Sequence, residues 1–243
     1  MEEKDAQKYY CINCGNAVNN LYKKYSETVL KLTECDNCKC IADKYVEYDI
    51  VLITVDIILL RITAYRHILH NFKFEKYWRL FLFIVLVESY SEWIFLYDDN
   101  NKSKIVEILT EEYLNNFDIY LDDLMFYKIT IVTLLKSLLL ICFVYLLSKI
   151  YGFYAQKTIT FVLIAKTITL SSVGIFLLLP ALIWDFKVKE INTQFVSLYV
   201  TLTKLISYTA ACNCPKYWST FVMLVAVLGQ KIINEYCNTS NII

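Results

Sequence analysis

CINCGNAV, residues 11–18, is answered by CDNCKC at residues 35–40. Cys11-x-x-Cys14, a gap of twenty residues, and Cys35-x-x-Cys38 together make the two-knuckle spacing of a structural zinc site. Each C-x-x-C turns tightly enough to aim two thiolates at one point. Two such knuckles supply the four tetrahedral sulfurs that zinc accepts at about 2.3 Å. Gly15 follows the first knuckle, where a positive φ is often needed; the second has Lys39 there, then Cys40. A redox pair and two structural disulfides compete with this reading, but a cytosolic setting keeps thiols reduced. A two-metal RING-type fold needs eight ligands, and residues 1–48 hold five Cys and no His. Cys40 is a spare that could replace Cys38, although the x-x spacing favours Cys38. Four thiolates close the coordination sphere, so the site folds the chain and has no open position for catalysis. Residues 1–48 are too few to bury a self-sufficient core, and they need that staple.

The rest of the 243 residues is of another kind. The chain is 57% hydrophobic with only 4 Gly and 2 Pro, which predicts long apolar helices and few turns. Net charge is zero, so nothing draws the whole chain to nucleic acid or to anionic lipid. Nine Cys cannot all pair within one chain. The N-terminal MEEKDAQKYY lacks an apolar signal region, which leaves residues 1–48 in the cytosol as a zinc-ribbon domain and gives targeting to a later helix.

Residues 49–71 begin with the run DIVLITVDIILLRITAYRHILH, in which Asp49, Asp56, Thr63, Arg66, His67 and His70 fall within one helical sector of about 100°. One polar stripe on an apolar helix predicts a segment lying in the membrane interface. Residues 72–243 predict a transmembrane bundle of about five spans, at 78–97, 129–148, 158–184, 192–212 and 218–236. Arg61, Arg66, Lys73, Lys76 and Arg79 precede the first span, whereas Asp98–Lys128 holds eight acids against three Lys. That asymmetry places the N-terminus in the cytosol and the acidic loop in the lumen, provided the 49–70 helix does not cross. The sequons at Asn101 and Asn238 then fall on the lumenal side, and Leu114, Phe117, Leu121 and Leu124 predict a short amphipathic helix within the acidic loop. The expected fold is an all-α multi-spanning membrane bundle preceded by a four-cysteine zinc ribbon.

YYCINCG together with CIADKYVEYDIVLITVDIILLRITAYRHILHN, spanning residues 9–71, resembles the homology domain of the Arv family. Ala42–Asp49 matches its ADKYxEYD-like run and Ala64–Asn71 its AYRHxLxN close; LSSVGIFLLLPALIWDF is more loosely similar to a later hydrophobic region. One departure is Arg61-Ile62-Thr63, where the family often carries Lys-Pro or a similar polar pair. The resemblance implies a multi-pass endoplasmic-reticulum membrane protein of lipid homeostasis. It would assist sterol transport and distribution, cholesterol and sphingolipid metabolism, and the handling of early intermediates in GPI anchor biosynthesis. Its partners would be membrane lipids, sterols and GPI intermediates among them. The alternative is a scaffold or regulatory subunit that docks GPI-assembly or other membrane enzymes through its zinc module.

Lys136, Lys166 and Lys204 each interrupt an apolar span, and Glu88 and Glu92 share one face of another. Charges at mid-membrane cost roughly 2.5–3.5 kcal/mol each on insertion scales, so they should face one another or water. They are read either as a head-group site or as ion pairs inside the bundle. Arg66, His67 and His70 are the second candidate lipid contact, read as a cluster reaching lipid phosphates at the cytosolic interface or as simple helix packing. Cys212-x-Cys214 could accept palmitate or bind a metal weakly, but is expected to do neither. No G-x-S-x-G, H-E-x-x-H or phosphate-binding Gly loop occurs, and with two His in the chain a non-enzymatic protein with no catalytic residues is expected.

Overall fold

The computed structural model describes residues 9–26, 30–104, 117–155, 158–179 and 189–239. Its N-terminal part is two small antiparallel hairpins. Strand β1 (Tyr9–Tyr10) pairs with β2 (Ala17–Val18), and β3 (Tyr22–Lys24) pairs with β4 (Leu30–Leu32). Ladders this short supply little stability. The knuckles beside them are built alike: Gly15 N–H donates to the Cys11 carbonyl at 2.9 Å, and Lys39 N–H donates to the Cys35 carbonyl at 2.8 Å. Both turns need the left-handed region, with φ of 76° at Gly15 and 58° at Lys39. The two knuckle regions are tied through Ala42, whose N–H donates to the Thr33 carbonyl at 2.8 Å and whose carbonyl accepts from Ile12 N–H at 2.9 Å.

A 3-10 turn, Lys44–Glu47, leads into α1 (Ile50–Ile58) and α2 (Ile62–Arg66), which runs on as a π turn, His67–Asn71. The single helix expected over 49–70 is therefore corrected to a hairpin, broken at Leu60 with φ 59°. The break is closed by hydrogen bonds from Leu60 N–H to the Ile57 carbonyl and from Arg61 N–H to the Asp56 carbonyl, both 3.0 Å. This is the Schellman pattern with Leu where Gly is usual, so the sequence carries no glycine to announce it. Each arm is far shorter than the roughly 20 residues needed to cross a bilayer.

Five longer helical segments follow: α3 (Tyr77–Lys104), α4 (Phe117–Ala155), α5 (Phe161–Ser171) continued by the 3-10 turn Ser172–Leu177, α6 (Lys189–Cys212) and α7 (Lys216–Thr239). They lie where the five spans were expected, although residues 180–184 of the third fall outside the described residues. Among the described residues, two helices are long and apolar enough to cross a membrane, Leu124–Ala155 and Gln194–Cys212; Phe161–Leu177 is apolar but shorter. The chain is thus mostly helical, with a four-cysteine cluster at its N-terminus. The loop expected over 98–128 is narrower than that, because α3 persists to Lys104 and α4 begins at Phe117. Phe117, Leu121 and Leu124 belong to the first turns of α4 and not to a separate helix, while Leu114 lies outside the described residues.

In the bundle α3 packs on α4 and α5, α6 packs on α5 and α7, and α4 closes against α7. Helix α2 lies along α6. Gly174 is what lets α6 approach the end of α5: a Cβ there would stand 2.8 Å from two ring carbons of Tyr199. That ring has a task, since the Tyr199 hydroxyl donates to the Ile58 carbonyl at 2.9 Å, at the hairpin tip. Gly174→Ala should therefore cost about 1–3 kcal/mol, the usual scale of overpacking. The measurement is thermal unfolding of the detergent-solubilised protein, with faster amide exchange at residues 57–62 as the local signature.

Candidate metal centre and adjoining cavity

The Sγ atoms of Cys11, Cys14, Cys35 and Cys38 all lie within 4.8 Å of one another. The sulfurs of Cys11 and Cys38 are 3.7 Å apart and those of Cys14 and Cys35 are 3.6 Å apart. A tetrahedron with metal–sulfur bonds of about 2.3 Å has edges of about 3.8 Å, so the spacing fits a four-thiolate metal site. Cys40 is exposed and stands outside the cluster. Without a metal Cys11 and Cys14 differ. Burial pushes the Cys11 thiol up to about 12. For Cys14, burial also acts upward and is the largest single effect. Hydrogen bonds from Asn16 N–H, the Asn37 side chain and the neighbouring thiols together outweigh it and bring Cys14 to about 7. A metal must therefore displace a proton from Cys11, and binding strengthens with pH.

The cluster is held against the helices by polar side chains from the two ends of the ADKYVEYD and AYRHILHN runs. Asp43 is fully buried, and its carboxylate accepts from Tyr45 N–H at 2.9 Å, His67 Nδ1 at 2.7 Å and Asn71 Nδ2 at 2.7 Å. Asn71 also pairs with the backbone of Tyr10, accepting from its N–H at 2.9 Å and donating to its carbonyl at 2.8 Å. That contact lies one residue from the first metal ligand. Tyr45 donates its hydroxyl to Asp56 at 2.7 Å and meets the Thr63 hydroxyl at 3.1 Å, so it bridges both arms of the hairpin; Arg61 pairs with Asp56 at 3.3 Å. Ala42 and Ala64, both fully buried, let the two runs approach.

Arg66 extends this clamp to the bundle. It is only 9% exposed; Nη1 donates to the carbonyls of Ile12, at 3.0 Å, and Asn13, and Nη2 donates to Asn213 Oδ1 at 3.0 Å. Asn213, just past α6, donates in turn to the Cys14 carbonyl at 3.4 Å. The approach is close enough that a Cβ on Gly15 would stand 2.5 Å from Asn213 Nδ2. Of the residues expected at a lipid interface, Arg66 and His67 are thus taken up inside the fold. His70 is half-buried beside the Ala210 carbonyl, 3.4 Å from Nε2. Arg66 and His70 line a cavity of about 610 Å³ between the first knuckle, the start of α5 and the end of α6. Tyr10, Asn16, Thr158, Thr160 and Asn213 complete its polar wall. Desolvation lowers the His70 pKa, Arg66 adds to this, and the carbonyls of Ala210 and Ala211 oppose it.

A depressed folded pKa means that the unfolded chain binds the proton more readily, so His70 takes stability away as pH falls below its unfolded value of about 6.5. His70→Gln should flatten the acid side of the stability profile. Denaturant midpoints of both proteins between pH 7.5 and 5.5 would show the gap closing toward acid pH.

The charges that interrupt the apolar helices separate into two sets. Lys136 reaches Glu92 at 4.0 Å, Thr133 donates to Glu92 at 3.1 Å, and Lys204 donates to Gln230 at 3.2 Å. Glu88 shares a narrow cavity of about 20 Å³ with Lys204 and Gln230. Lys166 stands apart, its ammonium 5.7 Å from the Tyr77 ring centroid. Cys212 and Cys214 are buried at the α6–α7 corner. Asp43, Tyr45, Asn71 and Asn213 were not singled out as site residues by the sequence. The first three lie in the runs that carry the family resemblance, which was a usable signal, whereas nothing local marks Asn213.

Comparison with known proteins agrees with this arrangement. Residues 10–208 match the model of the Arv1-like family, which covers the ribbon, the hairpin and most of the bundle. Protein ARV1 of Mus musculus is 30% identical over 232 residues, covering 93% of this chain and 82% of the relative. Protein ARV1 of Homo sapiens is 30% identical over 227 residues, covering 93% and 80%. Protein arv1 of Schizosaccharomyces pombe is 46% identical over 63 residues, 25% of this chain and 24% of the relative. No solved structure matches. A four-cysteine ribbon clamped by the Ala42–Asp49 and Ala64–Asn71 runs, within a match extending into α6, makes this chain a member of the Arv1-like family.

Proposed function

We propose that this protein is a non-enzymatic, multi-pass membrane protein of the endoplasmic reticulum that handles lipids, and that its ribbon holds one structural zinc ion in the cytosol. The observation that carries the reading is the cavity between ribbon and bundle. It is polar, it is lined by the buried cation Arg66 and by His70, and it opens beside the first turn of α5. A guanidinium and a helix N-terminus together suit a phosphate-bearing head group. Arg66 Nε, moreover, has no partner among the described residues. The start of α3 meets α5, the end of α4 meets the start of α7, and the cavity joins the start of α5 to the end of α6. Lys166 lies over Tyr77, and Tyr151 stacks on Trp218 at 5.6 Å. Trp78, Phe153, Tyr154 and Tyr217 are exposed at the start of α3, the end of α4 and the start of α7, as aromatic residues are at a membrane surface. Five crossings then leave the ribbon in the cytosol and the C-terminus in the lumen. The four thiolates favour zinc because tetrahedral sulfur sites are those of zinc or iron–sulfur centres, and paired C-x-x-C ribbons are zinc sites.

The lipids this reading puts forward are sterols and early glycosylphosphatidylinositol intermediates. Photo-crosslinkable sterol and anchor-precursor probes on purified full-length protein provide the test. Saturable labelling that unlabelled lipid competes away, mapping to peptides around His70, Thr160 and Ala210, is the expected result. Absence of labelling, with specific co-purification of glycosyltransferase subunits, would overturn lipid handling in favour of the scaffold. The Lys136–Glu92 ion pair and the Lys204–Gln230 hydrogen bond fit structural roles inside the bundle and are not needed for the head group.

A further inference from the structure

The α1–α2 hairpin presents six large apolar side chains outward: Ile50, Val51, Leu52, Val55, Ile58 and Leu59, each at least 45% exposed. The polar residue among them, Thr54, returns its hydroxyl to the Ile50 carbonyl at 2.8 Å. The occupant of this face follows from depth. Tyr199, which bonds the Ile58 carbonyl, lies thirteen residues before the end of α6 at Cys212. At 1.5 Å per residue that is about 20 Å below the ribbon end. His70, by contrast, meets Ala210, close to the α6 end. The hairpin thus descends along α6 for about half the 30 Å hydrocarbon core or a little more, and climbs back.

The tip is also finished as a lipid environment demands. The last four carbonyls of α1 all have protein donors: Val55 from Leu59 N–H, Asp56 from Arg61 N–H, Ile57 from Leu60 N–H and the Tyr65 hydroxyl, and Ile58 from the Tyr199 hydroxyl. A turn in water would not need two tyrosine hydroxyls for this; hydrocarbon leaves no other donors. At the tip Arg61 is about half exposed, and its guanidinium is neutralised by the largely buried Asp56 at 3.3 Å.

We propose that α1–α2 is a re-entrant hairpin whose outer face is covered by the acyl chains of the cytosolic leaflet. This rests on α6 being a span, and a probe on α6 separates the two claims. A fluorescent unnatural amino acid is placed singly at Ile50, Leu59 or Leu198 in the full chain, each in an exposed position. The protein is reconstituted in phosphatidylcholine vesicles that carry a nitroxide either near the head group or deep in the acyl chain. The expected result is about twofold stronger quenching by the deep nitroxide at Leu59 and Leu198, and by the shallow one at Ile50. Deep quenching at Leu198 with shallow quenching at Leu59 would overturn the hairpin and keep the span. Shallow quenching at Leu198 would overturn the span itself. Protection of Leu59 from both lipids would mean that a second copy covers the face, and would overturn the proposal.

Discussion

Replacing Cys35 with Ser should unfold residues 9–48 while leaving the bundle helices formed. Among the described residues the ribbon has two hairpins of two or three paired residues each and few large buried side chains, so the proposed metal on four thiolates would be its main source of stability. Structural zinc in small peptides is worth on the order of 10 kcal/mol, several times what such hairpins could return. Circular dichroism should change little, because helices dominate the signal. Amide exchange in residues 9–48 should become fast, and a strong chelator on the wild type should reproduce the effect. Exchange at residues 62–71 should rise too, since Asn71 and Arg66 lose Tyr10, Ile12 and Asn13 as partners.

Asp43→Ala should cost about 3–5 kcal/mol without displacing the metal, because the carboxylate is buried and is not a ligand. Its loss strands three buried donors at once: Tyr45 N–H, His67 Nδ1–H and Asn71 Nδ2–H. Metal content measured beside the unfolding midpoint checks this: a full complement of metal with a much lower midpoint is the expected pair. Asp43→Asn should recover only part of the loss. It restores one acceptor for Tyr45 N–H, but it turns an amide N–H₂ toward two other donors.

How much was readable in advance follows from how local each feature is. The clustering of the four cysteines was legible because C-x-x-C spacing is itself the geometry of a knuckle. The five helices were legible because apolar runs of 20 residues have few alternatives. The hairpin was missed because its break at Leu60 uses no Gly or Pro. A helical wheel drawn straight through it placed Asp56, Thr63, Arg66 and His67 on one outward stripe. In the folded chain Asp56 and Thr63 stand on opposite arms and meet through Tyr45, while Arg66 and His67 turn inward to the ribbon. Contacts such as Arg66–Asn213, 147 residues apart, have no local signature at all.

The ADKYVEYD and AYRHILHN runs therefore have a physical meaning of their own. They are two halves of one buried polar clamp, and we propose that it seats a metal-folded ribbon on a membrane hairpin. Elemental analysis of the purified, reduced full-length protein, paired with amide exchange over residues 9–48, tests that claim most directly. One zinc per chain with a protected ribbon is predicted; a metal-free protein whose ribbon amides stay protected would contradict it.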